Sequence, residues 1–187
     1  MCIPDLSSER PEAGVSMRRT AVTGTTLSKV HRENPLEVVE HLGTSQLWDL
    51  EGASDDALSV VVQGKSANYR VLFTWIYDIE ALHLACSLKL EDPARSNAEI
   101  EHLIPMINSQ MWVGHFEFWP TESLVLFRHA LVLSGGVHPS QQQCEVLLSA
   151  ALDACERYYS AFEFVVSARA AAREALEAVM FETTGEA

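Results

Sequence analysis

The chain has 187 residues, 48% of them hydrophobic, which is enough for one sizeable core and gives no reason to divide it. Thirteen Lys and Arg stand against 26 Asp and Glu, a formal charge of −13, and such acidity repels phosphate backbones and argues against a nucleic-acid partner. Four cysteines without CxxC spacing, no signal-peptide run in residues 1–33 and no stretch of about 18 uninterrupted apolar residues lead to the expectation of reduced thiols in a soluble, cytoplasmic protein with no membrane partner.

Residues 1–33 are rich in Ser, Thr, Gly and Arg and carry five basic and four acidic groups. They show no sustained apolar period and read as a disordered N-terminal tail. A single domain over 34–187 then holds the remaining eight basic and 22 acidic groups, a charge of −14. It opens with a short helix. Asn34 can cap it, Pro35 fits its first position and Glu37 suits its dipole, while Leu36, Val39 and Leu42 form one stripe and Gly43 is the expected stop.

Strands follow. Leu47–Glu51 is a weak one, Ser54–Asp56 a turn, Leu58–Gln63 a valine-rich strand and Gly64–Ala67 another turn. Asn68–Tyr77 is the strongest, with Tyr69, Val71, Phe73, Trp75 and Tyr77 on one side and Arg70, Leu72, Thr74 and Ile76 on the other. After a turn at Asp78–Glu80, Leu82–Leu90 returns with alternate leucines and Cys86 on one face. Tight turns between short strands make an antiparallel meander, closed by Pro93.

Ser96 and Glu99 have capping-box spacing and start a helix with Ile100, Leu103, Ile104 and Ile107 as its stripe; Pro105 is expected to kink or split it. Residues Trp112 to Gly136 then read as two strands joined by a turn at Pro120–Ser123. Phe116 and Phe118 alternate with His115 and Glu117, and Leu124–Leu133 is apolar on both sides, as expected for a central strand covered on both faces. Ser140 and Gln143 form a second capping box before a helical pattern from Leu147 to Phe162, and about Ala168 to Phe181 is again helical. The order is that of an α+β domain: an antiparallel sheet of about five or six strands with helices on one face.

Candidate chemistry is sparse. His83, His115 and His129 fall on strands and together could supply zinc ligands, but their spacings match no ligand signature, and histidines bonded to neighbours explain them as well. Glu99-x-x-His102 has di-iron spacing without the second helix and further glutamates such a site needs, and Glu80–His83 straddles a turn. There is no GxSxG and no P-loop, Cys86 sits among leucines, and Asp78 with Glu80 reads as a solvated turn. The reading is therefore no enzyme, no metal and no cofactor. The informative feature is the aromatic row Tyr69, Phe73, Trp75, Tyr77, whose opposite row also holds Leu72 and Ile76. The row can be core, dimer interface or client site, and its four residues are the candidate protein-contact residues.

Several stretches resemble a known family. Trp75-x-x-Asp78 with Ala81-Leu82-His83, then Asn108-x-x-Met111-Trp112-Val-Gly114-His115-Phe116, then Phe127-Arg128-His129-Ala130-Leu131 are similar to the YbjN family of bacterial proteins, labelled sensory transduction regulators. Cys155-Glu-Arg-Tyr158-Tyr159-x-Ala161-Phe162 and the closing Gly185-Glu186-Ala187 are similar to its alphaproteobacterial branch. The resemblance implies a type III secretion chaperone-like fold, frequent dimerisation and a role in regulation or stress response without a known reaction. The function expected is a non-enzymatic protein-binding module, chaperone-like or a regulatory adaptor, acting as a homodimer with a protein client. The alternative is a small ligand sensor or enzyme with a site between helices and sheet.

Overall fold

The computed structural model describes residues 34–46, 48–90, 96–122 and 124–184, without the side chains of 181–184. The expected tail over 1–33, Leu47, Pro93, Ser123 and the closing 185–187 lie outside the described residues.

The first helix, α1 (Pro35–Ser45), is capped as the sequence predicts, with the Asn34 side chain accepting from the Leu36 N–H at 3.1 Å. It does not stop at Gly43. There the missing Cβ makes room for the Trp48 ring, 3.0 Å from where a Cβ would stand, so this glycine serves packing and the helix runs one half-turn further. A meander follows, of β1 (Asp49–Ala53), β2 (Ala57–Gln63), β3 (Asn68–Ile76) and, after a 3₁₀ turn over Tyr77–Ile79, β4 (Ala81–Leu88). Then come α2 (Asn97–Asn108), the hairpin β5 (His115–Trp119) and β6 (Leu124–Val132), α3 (Gln141–Ser167) and α4 (Ala172–Thr184). The strands form one antiparallel sheet in the order β1-β2-β3-β4-β6-β5, so β6 is interior, as its apolar sequence led us to expect.

Register explains the core. Val60, Val71, Cys86, Phe127 and Phe116 lie opposite one another across five strands, all on one face and all buried. The long helix α3 lies over β4 and β6, α1 over β2 and β3, and α2 beside β5, while α4 packs on α2 and α3. Phe116 meets Phe127, Tyr158 and Phe162 at ring centroid separations of 5.5, 6.0 and 5.3 Å, which joins hairpin to helix.

Three local expectations change. Ser140 and Gln143 do form a reciprocal capping box, but Ser96 and Glu99 do not. The Ser96 hydroxyl donates to the Val165 carbonyl, and the Glu99 carboxylate accepts from the Ala172 N–H at 2.8 Å, so both join α2 to the end of α3 and the start of α4. Pro105 leaves α2 in one piece: it sits on the exposed side, where water can serve the carbonyl it orphans, while Ile104 and Ile107 hold the helix to the core. Finally, β6 is covered on one face only, because its even positions Arg128 and Ala130 and the exposed Val132 point away from the helices.

Candidate protein-contact face

Alternate residues of the strands that bury the core form the opposite face, and among the described residues no helix covers it. Its centre is polar. Arg128 Nε donates to His83 Nε2 at 3.1 Å across the β4–β6 pair, and Arg128 Nη1 donates to the Glu117 carboxylate at 2.7 Å across the β5–β6 pair, with His115 directly opposite Arg128. A second arginine, Arg70 on β3, is held bidentately by Glu51 on β1 at 2.6 and 3.0 Å. Both guanidinium groups are thus neutralised within the chain. Around them stand Leu72, Ile76, Trp119 and Val132, 41%, 36%, 40% and 65% exposed.

The ionisation states follow from these contacts. The Arg128 hydrogen bond holds the Glu117 carboxyl below its usual range, and the Arg70 hydrogen bond does the same for Glu51. Burial first, and then the neighbouring Arg128 charge, lower the pKa of His83, so that it stays neutral and can accept from the arginine.

Two further devices shape the neighbourhood. The Asn108 side chain accepts from the Phe116 N–H at 2.8 Å and donates to the Phe116 carbonyl at 2.9 Å, closing the outer edge of β5 as a strand would. Gly114, at φ +67, lies where a Cβ would collide with the Phe127 ring, so no side chain fits there. On the far side of the sheet, the Glu156 carboxylate of α3 accepts from the Lys65 and Ser66 N–H groups and the Ser66 hydroxyl, gripping the β2–β3 turn. Burial raises the Glu156 pKa, but these hydrogen bonds outweigh it and hold the carboxyl below its usual range.

The aromatic row expected to make protein contacts is split by the fold. Tyr69 and Phe73 are wholly buried beneath the helices and are core, which corrects their reading as contact residues. The Tyr69 phenol is pushed above its usual range by burial and by the Glu156 carboxylate. Trp75 is partly buried against the core, its ring edge-on to Tyr77 at 6.0 Å, and Tyr77 is 61% exposed in the 3₁₀ turn. The open row is the opposite one, with Leu72 and Ile76. The three histidines do not converge either: His83 and His115 share the open face, whereas His129 points to the helix side, and among the described residues no group of three ligand types could hold a metal ion. His129 lines a cleft of about 320 Å³ with Val113 and Leu131 and with Gln142, Gln143, Val146, Leu147 and Ala150 of α3. A second hollow, of about 420 Å³, lies on the open face, between Val61, Arg70, Ser87, Lys89 and Leu124.

Cross-strand pairing is what the sequence did not show. His83 and Arg128 are 45 positions apart and Arg128 and Glu117 only 11, and it is the register of β4, β6 and β5 that brings them together. The stretches that carry the family resemblance nonetheless converge in space: His83, Asn108, Gly114, His115 and Arg128 all belong to the β4–β6–β5 side of the sheet.

No curated protein matches the chain. Among solved structures, "Crystal Structure of the ExsC-ExsE Complex" is similar over 65% of this chain and 88% of that one, at 12% identity and a TM-score of 0.42, a likeness too distant to carry an argument. No helix among the described residues is long and apolar enough to cross a membrane. Residues 35–164 match the model of the family described as "Putative bacterial sensory transduction regulator", and the chain belongs to that family, YbjN.

Proposed function

We propose that this chain is a non-enzymatic protein-binding module, chaperone-like or a regulatory adaptor, whose open sheet face is the contact surface and takes a second copy of the same chain. The observation that carries this reading is the face itself: large apolar side chains exposed around two arginines whose charges are already matched. Arg70, Arg128, Glu51 and Glu117 cancel, so a locally balanced patch sits on a domain of charge −14. A strongly basic or acidic partner finds no complementary charge there, whereas an identical copy finds an equally balanced one. Six strands about 4.8 Å apart and about seven residues long present a footprint on the order of 600–700 Å². That approaches the roughly 800 Å² per partner of a standard interface. Burying a few hundred Å² of apolar surface at about 25 cal/mol per Å² outweighs screened repulsion between acidic surfaces, so association strengthens modestly with salt. The family description as a regulator agrees with a role exercised through protein contact.

The second reading, a ligand sensor or small enzyme with a site between helices and sheet, is favoured by the cleft of about 320 Å³ beside His129. Native mass spectrometry of the untagged protein separates the two. The first expects assemblies of the chain with itself or with a polypeptide and no retained small molecule. A monomer holding a stoichiometric small molecule contradicts it.

A further inference from the structure

Cys86 lies in the middle of the sheet, with Val71 and Phe127 as its cross-strand neighbours, and Cys155 lies on the buried stripe of α3. Both are fully buried and both are free thiols. Their sulfurs are 3.5 Å apart, with the Cys155 thiol donating to Cys86. That is van der Waals contact between sulfurs that come from elements 69 positions apart in the chain. Cys144, also buried and free, stands three turns earlier on the same helix, about 16 Å along its axis, and is no competitor for Cys86.

We propose that Cys86 and Cys155 are a modification site: a peroxide closes them into an intramolecular disulfide that ties α3 to the centre of the sheet. A disulfide needs its sulfurs about 2.05 Å apart, so closure brings them roughly 1.5 Å nearer, a change within reach of side-chain rotation and a small helix shift. The step balances. One cysteine, as thiolate, attacks a peroxide oxygen; the S–O bond forms, the O–O bond breaks and the leaving hydroxide takes a proton to become water. The second sulfur attacks the resulting sulfenic acid; the S–S bond forms, the S–O bond breaks and a second water leaves. Two thiols lose two electrons and two protons, and the peroxide is reduced to two waters.

The surroundings set the rate and the consequence. The hydrogen bond to Cys86, and then burial, push the Cys155 pKa far above the usual thiol range, so the Cys155 thiol is held neutral and the pair reacts only when α3 lifts from the sheet. Beside it Glu156 already anchors the same turn of α3 to the β2–β3 turn, so the reduced helix stays close and the bridge makes permanent a contact already present. Once closed, the bridge is shielded from reductants by the same burial. It also closes a long loop, which restricts the unfolded chain and raises the melting temperature.

The test uses the full-length wild-type chain treated with hydrogen peroxide, alkylated, and mapped without reduction. The expected result is a chain lighter by two hydrogens, a cross-linked pair of peptides containing Cys86 and Cys155, and a higher melting temperature that reverts once the chain is reduced in denaturant and refolded. Cys144→Ala keeps the cross-link and Cys155→Ala abolishes it; should the latter fail to fold, the wild-type map still decides. Oxygen added at Cys86 or Cys155 without a cross-link, or a cross-link from either to Cys144 or Cys2, overturns the proposal.

Discussion

The two faces of this sheet are made by alternate residues of the same strands. On β3, Tyr69, Val71 and Phe73 are sealed beneath helices, while Arg70 and Leu72, each one step along the chain, and Ile76 at the end of the strand reach solvent. The buried face is held by shape: aromatic rings from β5, β6 and α3 interlock, and a change of volume there is felt throughout. The open face is held by charge pairing across strands, with one arginine bound to its carboxylate toward each edge of the sheet and apolar side chains around them. A region stabilised by packing can tolerate little change. One stabilised by exposed ion pairs gains little from them, so its composition is free to serve contact with a partner.

The comparison breaks first at the core. Phe116→Ala removes the ring that touches Phe127, Tyr158 and Phe162, and it is expected to cost about 3–5 kcal/mol in chemical denaturation, enough to leave a marginal domain partly unfolded. A cost near that of a surface substitution would mean that the hairpin and α3 do not form one core.

A smaller effect sharpens the contrast through pH. His83 and His129, one on each face, both have pKa values lowered from 6.5, chiefly by burial. Above 6.5 both are neutral in either state and contribute no pH slope. As pH falls through 6.5 the unfolded chain takes up protons before the folded one, so stability declines in that window and levels off below the folded values. Denaturation above and below pH 6.5 should show the decline. His83→Gln, which can still accept from Arg128, should reduce it, and a variant with an unchanged slope would remove His83 from the account.

Much of the fold was legible because it is local. The alternation in β2, β3 and β4 and the stripes of α1, α2 and α3 each reflect one element meeting one core, and residue spacing records that directly. What failed depended on distant partners. Ser96 and Glu99 have capping-box spacing, yet Val165 and Ala172 claim their side chains. The aromatic row is large, and size is what a core uses; with Leu72 and Ile76 opposite, hydropathy alone does not say which side stays open. The Arg128 cluster needs the register of three strands before it exists at all.

The central claim, that the open face is where a second copy docks, is tested most directly by sedimentation velocity over a range of concentration and salt. Leu72, 41% exposed on that face, is changed to Glu, and Phe164, 46% exposed on α3, serves as the control. The account predicts that the wild-type chain shifts from monomer to dimer with concentration, more readily as salt rises. Leu72→Glu should remain a monomer with stability within about 0.5 kcal/mol of wild type, and Phe164→Glu should dimerise normally. A wild-type chain that stays monomeric throughout, or a Leu72→Glu chain that dimerises like wild type while Phe164→Glu does not, would contradict it.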